Sequence, residues 1–352
     1  MSIYNRTGKF FIGKDILDTC HDLIGDVYYA GLRRKAPPSD LIGKIAGRLQ
    51  HLQIINTALG GPLSLLPKQR AKRPILHIDP ITVLAARLTS MDAVICHDMG
   101  PLSHPYLFDS KTGAIYAEAY KKIAQAGPHL IFVSKATERA FESFFPNAPV
   151  SSKRVIYPAI RQVESNRTQA AVSQIDGPFL LTVGAIGIRK NQLTVIKAFQ
   201  NSGLAERGVK YVLCGAKEPG YQAVEAAAHE VPGVVLLSYV SDSELNWLYA
   251  HAKGFILASL LEGFGMPVAE AISFGQVPLV SSNSVLEEVA GDAAIAVDPS
   301  NESMIRDALL RLSEMSEPEL DVRRIQLNQS IARFDGDKIA QEWRGAITEI
   351  LG

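Results

Sequence analysis

Between Phe179 and Val297, short apolar runs alternate with stretches of helical periodicity, and this alternation restricts the fold more than any other feature of the chain. The runs are Phe179–Val183, Lys210–Cys214, Val234–Ser238, Gly254–Ala258, Val277–Ser281 and Ala293–Val297. The helical patterns between them are Gln192–Asn201, Tyr221–His229, Asp242–His251, Pro267–Phe274 and Val285–Ala290. Ser241, with Glu244 three residues on, reads as a capping box for the third helix. Buried strands separated by helices of this length imply βαβ units, right-handed crossovers and a parallel sheet. In such a sheet ligands bind at the carboxyl ends of the strands.

The first half repeats the rhythm less cleanly. Its strand candidates are Asp26–Ala30, Leu52–Asn56, Ile75–Ile78, Ala93–Cys96, Leu130–Val133 and Val155–Tyr157. Its helical candidates are Ile12–Leu23, Ile81–Leu88, Gly113–Ala126 and Ala136–Phe145. Arg161 to Gly177 is polar and poorly periodic, as a linker would be. At the end of the chain Ile339, Trp343, Ile347 and Ile350 recur at helical spacing, which predicts a packing helix. The expected layout is α/β, with an N-terminal Rossmann-like domain over 1–165, a second over 166–333 and a C-terminal helix over 334–352.

Composition narrows the function classes. A chain of 352 residues with 47% hydrophobic and 20% charged residues is globular and large enough for two domains. Lys+Arg and Asp+Glu both total 36, so the basic excess of a nucleic-acid binder is missing. Cys20, Cys96 and Cys214 are scattered and form no CxxC pair, which indicates neither a zinc site nor a disulfide framework and suits a reducing cytosol. Met1 to Lys14 lacks the apolar core of a signal peptide, and no run of 18 apolar residues occurs, so the expectation is a cytoplasmic protein that at most touches the inner face of a membrane. Two local basic clusters, Arg33-Arg34-Lys35 and Lys68 to Arg73, are either solvated loops or contacts for anionic lipid or a pyrophosphate-linked acceptor.

Residues 262–270, Glu-Gly-Phe-Gly-Met-Pro-Val-Ala-Glu, carry the clearest chemical signal. Pro267 suits the first turn of a helix and Gly275 its end, so Glu262 falls on a loop and Glu270 one turn into the helix. Gly263 and Gly265 let backbone approach a ligand, and the N–H groups of the helix start can hold phosphate. Two carboxylates flanking a phosphate cradle suit a sugar attached to a nucleotide. A second glycine turn, Val183-Gly-Ala-Ile-Gly-Ile-Arg-Lys-Asn191, directly follows a strand. Its glycines do not make a GxGxxG fingerprint, which disfavours a nicotinamide cofactor. Arg189 and Lys190 there are either a surface basic pair or charge-assisted donors to a phosphate. In the first half a buried strand runs into His97 and Asp98, where a doubly wound sheet would place a site, although a lone histidine is more often structural. Ser134 ends the next strand and reads first as a helix cap. Asp335-Gly-Asp337 has the form of a metal-binding DxD, but it opens a helix, where acidic residues are expected on dipole grounds.

Together these motifs resemble the large retaining family of GT-B glycosyltransferases with an E-x7-E signature, in its mannosyltransferase-like branch. The residues that carry the resemblance are the turn ending Arg189-Lys190-Asn191, Glu262…Glu270, Ser281 to Asp292 with Val297-Asp-Pro299, and His97-Asp-Met-Gly-Pro-Leu with Phe132-Val-Ser134. It covers about residues 90–352, and before that only Thr7-Gly8 and the following helix match. The resemblance implies two Rossmann-like domains facing a central cleft, with the C-terminal helix crossing back to the first. It implies that Lys190 neutralises the leaving diphosphate and that Glu262 holds hydroxyls of the transferred sugar. Gly184 and Arg189 would face the phosphates, the backbone of Phe264, Gly265 and Met266 would line sugar and phosphate, and Glu270 would bind the ribose. His97 would stand by the reacting sugar; Gly8, Asp98 and Ser134 are further candidates. The loop at Tyr239-Val-Ser-Asp242 would face the base. One position departs from the pattern: where many relatives carry arginine after the first glycine of the turn, this chain has Ala185.

The implied reaction moves a hexose, by best expectation mannose from GDP-mannose, to a glycan or polyprenyl-diphosphate-linked acceptor in bacterial surface polysaccharide assembly. Lysine, arginine and a helix start answer the negative charge that develops on the leaving diphosphate. No side chain stands out as a nucleophile, so a front-face displacement with retention is expected, with no metal and no bound cofactor. A nucleotide-sugar epimerase or phosphorylase on the same fold, and a non-catalytic sugar-nucleotide binder, are the alternatives.

Overall fold

A computed structural model describes residues 8–29, 32–34, 41–65, 68, 71–160, 168–237 and 240–352. The chain divides into two compact units, one of Met1–Ala159 with Gly336–Gly352 and one of Ile160–Asp335.

In chain order, the first unit holds α1 (Gly8–Thr19), the antiparallel pair β1 (Val27–Tyr29) and β2 (Leu32–Arg34), α2 (Leu41–Ala58), β3 (Leu76–His77), β4 (Ala93–Cys96), α3 (Gly100–Ser103), α4 (Ser110–Ala126), β5 (His129–Phe132), α5 (Lys135–Phe144) and β6 (Ser152–Val155). The second holds β7 (Phe179–Val183), α6 (Gln192–Gln200), β8 (Lys210–Cys214), α7 (Tyr221–Glu230), β9 (Val234–Leu237), α8 (Asp242–His251), β10 (Gly254–Leu257), α9 (Met266–Ser273), β11 (Pro278–Ser281), α10 (Val285–Ala290), β12 (Ile295–Val297), α11 (Glu302–Glu314) and α12 (Glu317–Ile331). Then α13 (Gly336–Leu351) returns the chain to the first unit.

The second unit is built on a parallel sheet of order β12-β11-β10-β7-β8-β9. Its central strands are apolar on both faces: Leu180, Leu181, Phe255, Ile256, Leu279 and Val280 are all buried. That is the pattern of a parallel sheet covered by helices on either side. The strand order reverses between β7 and β10, so the loops leaving these two strands open the crevice of a doubly wound sheet. Those loops are 184–191 and 258–265. Ser241 and Glu244 form the expected reciprocal capping box at α8, and the structure adds a cap on α10 from Ser284.

The first unit has a smaller parallel sheet of order β3-β4-β5-β6. Ile95, Leu130 and Phe132 are buried in it, and Tyr120 of α4 and Phe141 of α5 cover it. On α13 Ile339, Trp343 and Ile347 are buried, and Arg344 clamps the end of α1 by donating to Thr19 O at 2.8 Å and to both oxygens of Asp22 at 2.7 and 2.8 Å.

Two expectations for the first half are corrected. Leu52–Asn56 is not a strand but the last turns of α2. Its apolar residues continue an earlier i, i+4 series through Leu41, Ile45 and Leu49, and a five-residue window hides that period. Ile81–Leu88 forms only a short 3-10 turn, Pro80–Ala85, which the carboxylate of Asp79 caps by accepting from Ile81 N. The helix expected over Ile12–Leu23 is α1, beginning four residues earlier and ending at Thr19. Residues 161–167 of the expected linker, Thr7, Lys35, Arg70, Ser238 and Tyr239 lie outside the described residues.

Candidate functional site

The loop after β7 turns on Gly184, at φ 141°, and ends in a single 3-10 turn, Ile188–Lys190, closed by Asn191 at φ 60°. Asparagine tolerates this left-handed conformation better than most residues. Its amide donates to Ala258 O at 3.1 Å and Pro299 O at 2.7 Å, and Leu260 N donates to Arg189 O at 2.9 Å. The loops after β7 and β10 are therefore stitched together, and this brings residues 189–190 to residue 262.

At the junction Lys190 is buried, and its ammonium donates to Glu262 Oε1. Ser259 Oγ donates to the same oxygen at 2.8 Å, and Arg189 reaches Oε2 at 3.3 Å. Burial by itself would raise the Glu262 carboxyl, but Lys190 and then Arg189 outweigh it and hold the group below its ordinary value. Arg189 is further engaged by Glu218, whose two oxygens accept at 3.0 and 3.2 Å, and by Leu261 O at 3.2 Å. Two cations and two carboxylates thus balance at one loop junction. Gly184 lies alongside: a Cβ there would stand 3.7 Å from the end of Lys190. Ala185, at the position of the departure, uses its carbonyl to accept from Gln192 Nε2 at 2.9 Å.

Gly265 precedes α9 with φ 97° and ψ 48°, Pro267 lies in the first turn, and no side chain caps the helix start. The backbone angle favours glycine, and a Cβ at Gly265 would fall 2.3 Å from Leu286 Cδ2, so that side chain would have to shift. Phe264 is buried and packs edge-on against Phe334 with ring centroids 5.1 Å apart, which fixes the loop leading into the helix. Met266 is the first residue of α9. Glu270 follows one turn in, and its Oε2 accepts from the Tyr249 hydroxyl at 3.0 Å. Burial, and then Glu270 beside it, push the Tyr249 phenol far above its ordinary value, so it stays a donor.

The remaining candidates lie in the first unit. His97 ends the β4 run, is buried, and its Nε2 is 2.6 Å from Ile78 O. A carbonyl only accepts, so Nε2 carries the proton. Burial, helped by the nearby Lys9 ammonium, lowers the His97 imidazole to about 4, so the ring is neutral at pH 7. Asp98 Oδ1 accepts from Gly100 N at 2.9 Å and starts α3. Ser134 caps α5 by accepting from Thr137 N at 3.1 Å. Gly8 is the exposed first residue of α1. Asp337 lies in the first turn of α13, and no cluster of three or more potential metal ligands occurs among the described residues.

Several participants escape the sequence reading. Ser259 and Glu218 complete the shell around Glu262 and Arg189, and Tyr249 supports Glu270. In the first unit Lys9 pairs with Asp79 at 2.7 Å and donates to the Tyr116 hydroxyl at 2.8 Å, close enough for both charges to act on His97. Only Ser259, at the end of an apolar run and three residues before Glu262, leaves a trace in the sequence.

Residues 165–328 match the family model described as glycosyl transferases group 1. O-antigen chain mannosyltransferase B of Escherichia coli is 36% identical over 140 residues, which are 38% of this chain and 36% of that protein. O-antigen chain mannosyltransferase RfbU of Salmonella typhimurium is 24% identical over 250 residues, 70% of this chain and 67% of that one. GDP-mannose:cellobiosyl-diphosphopolyprenol alpha-mannosyltransferase of Komagataeibacter xylinus is 30% identical over 120 residues, 33% of this chain and 30% of its own. The matched parts thus span from about a third to two thirds of these relatives' lengths. Among solved structures, an alpha,alpha-trehalose-phosphate synthase from Burkholderia vietnamiensis superposes with a TM-score of 0.62 at 13% identity, covering 90% of this chain and 82% of the other. That likeness establishes the GT-B fold class and nothing finer. The likeness to the glycosyl transferases group 1 family thus lies within the second unit, over residues 165–328.

Proposed function

We propose that the chain is a retaining, metal-independent mannosyltransferase that takes mannose from GDP-mannose and delivers it to a glycan or polyprenyl-diphosphate-linked acceptor in bacterial surface polysaccharide assembly, at the inner face of the plasma membrane. The observation that carries this reading is the buried meeting of Lys190, Arg189 and Glu262 beside the uncapped start of α9, with Glu270 one turn further on. The names of the mannosyltransferases it resembles supply the sugar, and one of them also supplies the GDP.

In this reading the diphosphate enters beside Gly184 and takes Lys190 as its counter-ion. The N–H groups at Gly265 and Met266 complete the cradle. Glu262, released from Lys190, accepts hydrogen bonds from sugar hydroxyls, and Glu270, steadied by Tyr249, accepts from the ribose. As the bond from the anomeric carbon to the diphosphate oxygen breaks, negative charge gathers on the leaving group, and fixed protein cations stabilise it without a divalent ion. The acceptor hydroxyl then attacks from the same face, and its proton passes to the departing diphosphate oxygen.

The direct test incubates the purified chain with GDP-mannose and a lipid-linked acceptor in the presence of EDTA and follows the anomeric proton by NMR. The expected product is the α-linked mannoside, with Glu262→Ala folded but inactive. A β-linked product, or transfer that requires magnesium, would contradict the mechanism. Transfer from another nucleotide sugar alone would contradict the donor.

A further inference from the structure

We propose that the outward face of α2 in the first unit is a docking surface for an anionic lipid membrane. Six of the large apolar side chains exposed among the described residues fall between Leu41 and Leu65. Four of them lie on α2 itself: Leu41, Ile45, Leu49 and Leu52, with 70%, 52%, 57% and 48% of their surface exposed. Their i, i+4, i+8 and i+11 spacing puts them on one stripe of the helix. Ala46 and Ile54, on the opposite side, are buried and hold α2 to the unit. The helix is therefore apolar on two faces, only one of which the fold covers. Leu59 and Leu65, also exposed, extend the apolar surface beyond the last turn.

Charge selects the occupant. From residue 27 to residue 78 the sequence has nine lysines and arginines and a single acid, Asp40, in a chain whose net charge is zero. Arg48, on the edge of the stripe, is exposed, as are Lys68, Lys72 and Arg73. An exposed apolar stripe with a cation at its edge, on a segment of strongly basic sequence, is the pattern of a helix lying in the plane of a membrane interface, its apolar side chains among the acyl chains and its cations at anionic headgroups. A second copy of this chain would bring the same basic segment against itself, and that repulsion disfavours self-association. No helix among the described residues is long and apolar enough to cross a membrane, so the contact is with the surface. The proposal rests on the first unit alone and stands whatever sugar the second unit handles.

The test is flotation of the full chain with phosphatidylcholine vesicles, with and without phosphatidylglycerol, at low and high salt. Binding is expected to the anionic vesicles and to weaken with salt. Ile45→Glu combined with Leu49→Glu should reduce it roughly tenfold or more, whereas Ile325→Glu, at an exposed apolar position on α12, should leave it unchanged. As a check that does not depend on the folding of the double variant, Leu49→Trp should show blue-shifted emission when anionic vesicles are added. Failure to float with anionic vesicles, flotation indifferent to the double substitution, or unchanged emission from the tryptophan variant would overturn the proposal. So would a dimer in sedimentation that the double substitution dissolves without any vesicle binding. Nucleotide binding by the double variant should match the parent, which separates this result from the reading of the second unit.

Discussion

Lys190 and Glu262, 72 positions apart in sequence, form an ion pair whose side chains are only 7% and 8% exposed. The pair exists because the loops after β7 and β10 leave adjacent strands at the switch point of the sheet. Two buried charges of opposite sign are stable only together. Lys190→Ala leaves Glu262 with Arg189 and Ser259, and breaking such a pair costs roughly 2–3 kcal/mol where other partners compensate in part. The double substitution Lys190→Met with Glu262→Gln removes both charges and should recover most of that loss. Urea denaturation of the single and double variants measures the difference, and equal losses would show the pair to be solvated.

Gly265→Ala should destabilise the second unit by about 1–3 kcal/mol, because alanine is strained at φ 97° and its Cβ meets Leu286. Adding Leu286→Ala relieves the clash but not the backbone angle and opens a cavity of its own. Thermal denaturation should therefore show no recovery in the double variant. Full recovery would mean that sterics alone make the position glycine.

Acid should loosen the first unit before the carboxylates titrate. Burial lowers His77 and His97 each to about 4, below the ordinary histidine value of 6.5. The unfolded chain therefore binds more protons between those limits, so stability is full above pH 6.5 and falls as pH drops toward 4. The expected loss by pH 5 is about 2 kcal/mol for each histidine. Melting temperatures from pH 7 to pH 5 check it, with His77→Gln and His97→Gln each flattening the profile. A flat profile in the parent would show that the two rings are open to water.

Tyr249→Phe keeps the buried ring and removes the hydroxyl that donates to Glu270. If Glu270 serves the ribose in ground state and transition state alike, the donor KM should rise about fivefold, for a loss near 1 kcal/mol, with kcat unchanged. Steady-state kinetics separates the two parameters, and a fall in kcat with constant KM would place Glu270 at the reacting bond instead.

The second half was readable because both of its periods are strong. Each of its apolar runs is a strand within two residues of the expected ends, and α9 is bounded by Pro267 in its first turn and by Gly275, at φ 81°, just past its end. The α2 region was misread because an apolar stripe that faces outward obeys the helical period without the polar face that normally reveals it. Glu262, Glu270 and Lys190 were legible from glycine turns and spacing. Glu218 and Tyr249 were not, because the contacts that recruit them to Arg189 and Glu270 come from separate loops and helices. The Lys9–Asp79–Tyr116 cluster near His97 was hidden for the same reason: three elements distant in sequence meet there.

If Lys190, Glu262 and Glu270 form a nucleotide-sugar site, a nucleoside diphosphate alone must bind there and stabilise the fold. Thermal stability of the chain should be measured with GDP, UDP, dTDP and ADP, each in magnesium and in EDTA. GDP is expected to stabilise the chain in both conditions, by about 2.7 kcal/mol at a hundredfold excess over Kd, with a much smaller effect in Lys190→Ala and Glu270→Ala. No stabilisation by any of the four nucleotides, or one that both substitutions leave intact, would contradict such a site.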